Sequence, residues 1–174
     1  GSIGCAGTGE AMDPLISFSR YLAGRNAALL AMAREILGLL DVCDSGEAPA
    51  RGRASDLMWL WTLGAYEVVR TMCQAQVCFS ARFYRAAAAL KLDLERVRVP
   101  STKMERIKYN RKDRSIPVVS DREADLWDGR HQDLRVGDPA DAVSARMLLG
   151  EYARVMSTLT AEDVLASHEA SLGG

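Results

Sequence analysis

The sequence has few of the residues on which most active sites depend. It contains two histidines, His131 and His168, and four cysteines in 174 residues. Tetrahedral zinc sites take their ligands from His and Cys pairs at short spacings, and neither Cys-x-x-Cys nor His-x-x-x-His occurs in the chain. The sequence also lacks a Walker loop and a Gly-x-Ser-x-Gly elbow. We therefore expect no metal site and no bound cofactor, and a non-enzymatic protein is favoured.

Neither sign of charge dominates the chain. The 22 basic and 23 acidic residues leave a net charge of -1, so the protein as a whole has no strong attraction to nucleic acid or to an anionic membrane. The longest apolar run, Leu57 to Val69, is too short to cross the ~30 Å hydrocarbon core of a bilayer. The amino terminus lacks a basic region followed by an apolar run, so no secretory signal is expected. Because cysteines without a paired framework are typical of reduced thiols, we predict a cytoplasmic protein.

Aromatic residues are also scarce, at 6% of the chain, while alanine is plentiful. This composition favours close-packed helices over a sheet. A chain of this length can bury roughly two thirds of its unfolded surface within one domain. We expect residues 1–12, which hold four glycines and open like a tag remnant, to be a disordered tail, and residues 13–174 to form a single domain.

The stretch from Leu57 to Cys73 is apolar on nearly every face at helical spacing. Other helices must wrap such a helix, so we place it at the centre of the fold and expect it to be the most buried. It follows a predicted loop at 43–53. Glu67 and Arg70 lie three residues apart on one face of this helix and are expected to form an ion pair.

Alternating steps of three and four residues between apolar positions predict a bundle. The predicted main helices span 14–41, 55–77, 80–98 and 143–159, and a short C-terminal helix spans 161–170. Asp13 and Pro14 are typical of a helix start, and Thr160 opens a capping-box pattern. Arg25 stands where the first helix should have an apolar residue, so we expect its stem to pack and its head to reach water. The fold class is all-α.

Residues 99–142 show no sustained helical period. An irregular connection of this length is unusual within a compact domain. We expect this insert to pack over one end of the bundle. Ile116–Val119 and Asp133–Val136 are predicted to pair as a small hairpin, with Trp127 anchoring the loop between them. A calcium loop starting at Asp121 is excluded, because Leu126 stands in place of the required glycine and Gln132 in place of the bidentate carboxylate.

The charge pattern of the insert is the strongest functional signal. Eight basic residues lie between Arg96 and Arg114, and an acidic run extends from Asp121 to Asp141. We expect the acidic arm to fold back on the basic arm.

We predict an interaction module that acts through the charged 96–136 region, with a protein partner favoured because the net charge is near zero. The predicted partner-binding residues are Arg106, Lys108, Tyr109, Arg111, Lys112, Arg114 and Trp127. Two alternatives remain. In one, the basic arm binds or cleaves nucleic acid, and His131 acts as a base oriented by Asp128 or Asp133. In the other, the bundle forms a homodimer through a leftover apolar stripe.

Overall fold

A computed structural model of the chain describes residues 12–43, 48–101 and 125–169. Within these residues the helices are α1 (Leu15–Phe18), α2 (Arg20–Val42), α3 (Ala48–Gln74), α4 (Ala81–Ser101) and α5 (Ala145–Ser157). The strands are β1 (Leu126–Asp128), β2 (Asp133–Val136) and β3 (Val143–Ser144). Helices α2 to α5 are the four main helices of a bundle, so the predicted fold class is confirmed.

The first predicted helix is divided at Ser19. The backbone of Ser19 is extended, with φ -161° and ψ 122°, and its side chain accepts a hydrogen bond from the N–H of Leu22 at 3.2 Å. A serine in this role caps a helix, so α1 ends and α2 begins there. The predicted start of the segment is confirmed, because the Asp13 carboxylate accepts a hydrogen bond from the N–H of Leu15 at 3.0 Å.

Helix α3 begins at Ala48, seven residues before the predicted start. The prediction of a loop over 43–53 is therefore wrong for its second half. Pro49 lies in the first turn of the helix, where the N–H that proline lacks has no intrahelical partner to lose. Gly52 is tolerated among helix-favouring neighbours.

Helix α3 packs between α2 and α4 and contributes more buried side chains than any other helix of the described residues. At its centre, the Trp61 indole N–H donates to the backbone carbonyl of Leu29 at 3.1 Å. The Trp61 ring meets Tyr152 edge to face, with centroids 5.4 Å apart. The Tyr152 hydroxyl donates to the side-chain oxygen of Asn26 at 2.7 Å, and burial raises the pKa of this hydroxyl. These contacts tie α2, α3 and α5 together.

Helices α4 and α5 both start at serine caps. The Ser80 hydroxyl accepts a hydrogen bond from the N–H of Phe83 at 3.2 Å, and the Ser144 hydroxyl accepts one from Met147 at 3.1 Å. Helix α4 extends to Ser101, beyond the predicted end at 98, and contains Pro100. Because proline has no N–H, this turn of the helix has one backbone hydrogen bond fewer.

The C-terminal segment crosses the junction of α3 and α4. Within the described residues it begins with a 3-10 turn, Ala161–Asp163, and is helical again at 168–169, so the predicted helix over 161–170 is interrupted. The Asp163 carboxylate accepts hydrogen bonds from the Ser80 hydroxyl at 2.6 Å and from the N–H of Thr160 at 2.9 Å, and it pairs with Arg82. Burial alone raises the pKa of Asp163, but hydrogen bonds from Ser80, Thr160 and Arg82 outweigh it and lower the pKa to about 2.

The described part of the insert forms a three-stranded antiparallel sheet in the order β1-β2-β3. Trp127 on β1 lies opposite Leu134 on β2, and Leu134 is buried in the core. Strand β2 matches the predicted strand at 133–136, and β1 and β3 pair with it. The predicted partner strand, 116–119, lies outside the described residues.

Candidate functional site

The predicted partner-binding residues belong mostly to the basic segment of the insert. Arg106, Lys108, Tyr109, Arg111, Lys112 and Arg114 lie outside the described residues, so their role stays a prediction. The start of the basic segment is described on α4. The Arg96 guanidinium pairs with Asp141 at 2.6 Å, which is one contact between the basic and the acidic arm. The Arg98 guanidinium lies over the Tyr66 ring, 4.3 Å from its centroid.

Trp127 is the one predicted partner-binding residue that the described part of the chain contains. It lies in strand β1 rather than in a loop, which corrects the prediction, and it is half-buried. The Arg51 guanidinium of α3 lies 5.5 Å from the centroid of its ring. Close by along the chain, the Ser55 hydroxyl donates to the Asp125 carboxylate at 2.9 Å. Trp127 and Asp125 thus fix the insert to the first half of α3.

Asp128 and His131 meet at the turn between β1 and β2. Asp128 Oδ2 lies 2.8 Å from His131 Nδ1, and the backbone N–H of His131 donates to Asp128 Oδ1 at 3.3 Å. Arg135 lies 3.5 Å from the same carboxylate. The hydrogen bond to His131 is the main reason why the pKa of Asp128 is below its usual range. The carboxylate orients the imidazole through Nδ1, which leaves Nε2 available for a proton or a phosphate oxygen.

Asp133, the other predicted partner of His131, has a structural role instead. Its carboxylate is buried and accepts hydrogen bonds from the Ser144 hydroxyl and from the N–H of Arg146 at 3.2 Å. A carboxylate at this place neutralises the positive end of α5. Within residues 12–43, 48–101 and 125–169, no group of three or more His, Cys, Asp or Glu side chains is arranged to hold a metal ion.

A second candidate site, which the sequence analysis did not single out, is a groove between α2 and α3. The two helices are antiparallel. Near one end Arg53 lies 3.9 Å from Glu35, and further along a Cβ at Gly64 would lie 3.0 Å from Leu29 Cδ2. The groove encloses about 560 Å³. Its lining positions on α2 extend from Tyr21 to Met32, which is about three helical turns or ~16 Å.

The lining of the groove is mostly apolar and partly open to solvent. The floor is formed by buried side chains such as Leu22, Leu29 and Val68. At the rim, Leu60 and Leu63 of α3 are 49% and 42% exposed, and Tyr21 of α2 is 72% exposed. Trp59, next to Leu60, is 41% exposed. The helix was predicted to be wrapped on every face, but the helices that the structure describes leave one of its faces partly exposed.

Among the described residues, two charged side chains line this groove, one on each helix, besides His168 at its end. The Arg25 guanidinium lies over the Tyr21 ring, 5.0 Å from its centroid, and Arg25 is exposed, as predicted. Glu67 pairs with Arg70 at 2.6 Å, which confirms the predicted ion pair, and its side chain remains 46% exposed. Leu29 on α2 lies against Gly64 on α3. Because the two helices are antiparallel, Arg25 and Glu67 both lie about one turn from this contact in the same direction, and so at about the same level of the groove.

The sequence carried two signals for this groove. Arg25 interrupts the apolar seam of its helix, and α3 is apolar over more of its surface than two neighbouring helices can cover. Neither signal locates the groove, because that requires knowing which sides of α2 and α3 face each other.

Comparison of the chain with protein-family models, with curated proteins and with solved structures finds no match. Among the helices of the described residues, none is both long enough and apolar enough to cross a membrane.

Proposed function

We propose that the protein is a non-enzymatic interaction module that binds a protein partner in the groove between α2 and α3. The observation that carries this proposal is the exposure of Tyr21, Leu60 and Leu63 along one groove. Large apolar side chains clustered on the surface mark interaction sites more often than single ones do. The charged 96–136 region remains a predicted second contact surface.

The shape of the groove favours a helical partner segment. Two antiparallel helices present parallel ridges, and the lining positions on α3 follow the steps 60, 63, 64, 67, 68 and 71. A third helix fits between such ridges when its apolar residues recur every three or four positions. A nucleic acid backbone is a poor fit, because the part of the lining that the structure describes contains one basic and one acidic side chain besides His168 and thus offers no net positive charge.

Photo-crosslinking in cells that produce the protein naturally tests this proposal. A benzophenone amino acid is placed at Leu63 in the groove, and at Leu92 on α4 as a matched control, because Leu92 is exposed but lies outside the groove lining. We expect a covalent adduct with protein from position 63 that is lost when Leu60→Glu is added. Equal adducts from both positions, or none from position 63, would contradict the proposal.

A second candidate function is binding or cleavage of nucleic acid by the basic arm. The observation that favours it is the 2.8 Å hydrogen bond between Asp128 and His131, since a carboxylate that orients an imidazole is typical of general-base sites. Labelled RNA and DNA oligonucleotides are mixed with the protein at several salt concentrations. Affinity that falls steeply with salt, and cleavage that is lost in His131→Ala, would support this function, whereas no binding at low salt would eliminate it.

A cytoplasmic location belongs to the same proposal. Cys73 and Cys78 form no disulfide within the described residues, and burial raises the pKa of the Cys73 thiol. Thiols of this kind are typical of a reducing compartment. Fractionation of producing cells tests the location, and recovery of the protein in a secreted or membrane fraction would contradict it.

A further inference from the structure

We infer that the groove between α2 and α3 is occupied by a second copy of this chain, related by a two-fold axis that runs parallel to the helices. This inference rests on the proposed function, because it names the partner of the same groove. In this arrangement, α2 of each copy packs on α3 of the other.

Charge complementarity is the first argument. Arg25 on α2 and Glu67 on α3 lie at about the same level on opposite sides of the groove. Rotation about a two-fold axis parallel to the helices keeps every residue at the same position along the axis, and it places α2 of one copy over α3 of the other. Each contact is therefore made twice, because residue i contacts residue j and j contacts i. Each Arg25 then faces a Glu67 of the second copy, twice in the dimer. An axis across the helices would instead bring like charges together.

The available area is the second argument. Helix α2 has 23 residues and is therefore about 34 Å long, and two neighbouring helices are about 20 Å wide. The face that they form measures roughly 700 Å² per copy, or about 1,400 Å² for the pair, which lies within the range of stable protein interfaces. The exposed Leu60, Leu63 and Tyr21 lie within this face and would be covered by the second copy.

Analytical ultracentrifugation of the full chain and two charge-reversal variants tests the inference. We expect the wild-type protein to sediment as a dimer of the 19.0 kDa chain. Arg25→Glu and Glu67→Arg each turn two attractive contacts into repulsive ones, so each should weaken the dimer by about tenfold or more. An equimolar mixture of the two variants should restore dimerisation, because every contact in the mixed dimer again joins opposite charges.

Arg34→Glu is the control for the change in net charge. It lies nine residues from Arg25 and hence on the opposite side of α2, and we expect it to leave the dimer unchanged. Circular dichroism verifies that each variant is folded. If Glu67→Arg fails to fold because it loses the pair with Arg70, the comparison of Arg25→Glu with Arg34→Glu alone decides the outcome.

Two results would overturn the inference. A wild-type protein that stays monomeric at every concentration would exclude a second copy as the occupant, and photo-crosslinking at Leu63 to a different protein would then leave the proposed function intact. A wild-type dimer that is insensitive to both Arg25→Glu and Glu67→Arg would place the dimer interface elsewhere.

Discussion

The carboxylate of Asp163 should make a large contribution to stability at neutral pH. Its pKa is lowered from 3.8 to about 2 in the folded protein. A shift of this size corresponds to about 2 kcal/mol of folding free energy. Because the folded pKa is depressed, the contribution is fully present above pH ~4 and is lost as the pH falls towards ~2. Asp163→Asn should remove about the same free energy at pH 7.

Urea denaturation followed by circular dichroism measures this effect. The free energy of unfolding of wild type and Asp163→Asn is compared at pH 7 and at successively lower pH. We expect the free energy of unfolding of wild type to exceed that of Asp163→Asn by about 2 kcal/mol at pH 7, and this gap should narrow as the wild-type carboxylate becomes protonated. Glu162→Gln is the matched control: the neighbouring side chain is exposed, so the change should cost less than about 0.5 kcal/mol. A gap that is absent at pH 7, or that does not narrow in acid, would refute the reasoning.

Three further perturbations test other parts of the structure. Tyr152→Phe removes the hydroxyl that donates to the buried Asn26 oxygen, so urea denaturation should show a loss of about 1–2 kcal/mol; an unchanged midpoint would mean that Asn26 finds another donor. Ser144→Ala removes the cap of α5 and should cost about 1–2 kcal/mol in the same assay, and a smaller loss would show that the cap is redundant. His131→Ala should raise the pKa of Asp128 back towards its usual range, as measured by carbon NMR titration; an unshifted titration would contradict the observed hydrogen bond.

Features set by local spacing could be predicted from the sequence. The four main helices follow from apolar periodicity, because each helix buries one stripe of its own residues. The ion pair of Glu67 with Arg70 follows from a separation of three residues on a helix. The cap at Ser80 follows from a serine that precedes an apolar helical pattern. In each case the interacting groups are close in the chain.

Features that join distant residues could not be predicted. Ser80 and Asp163 are 83 positions apart and become neighbours only when the C-terminal segment crosses the helices. The strand at Trp127 has no recognisable alternating pattern in the sequence, because acidic residues flank it. Its register depends on the buried Leu134, which lies opposite Trp127. The groove is of the same kind, since its lining is divided between two helices.

Accessibility of the groove inside cells tests the central claim most directly. Leu63→Cys and Leu92→Cys are labelled with a membrane-permeant maleimide in cells that produce the protein naturally and in dilute purified protein, and labelling at each position is read by mass spectrometry. If a protein partner occupies the groove between α2 and α3, Leu63→Cys should be labelled much more slowly in cells than in dilution, while Leu92→Cys is labelled at similar rates in both. Equal protection at the two positions, or no protection at position 63, would contradict the account.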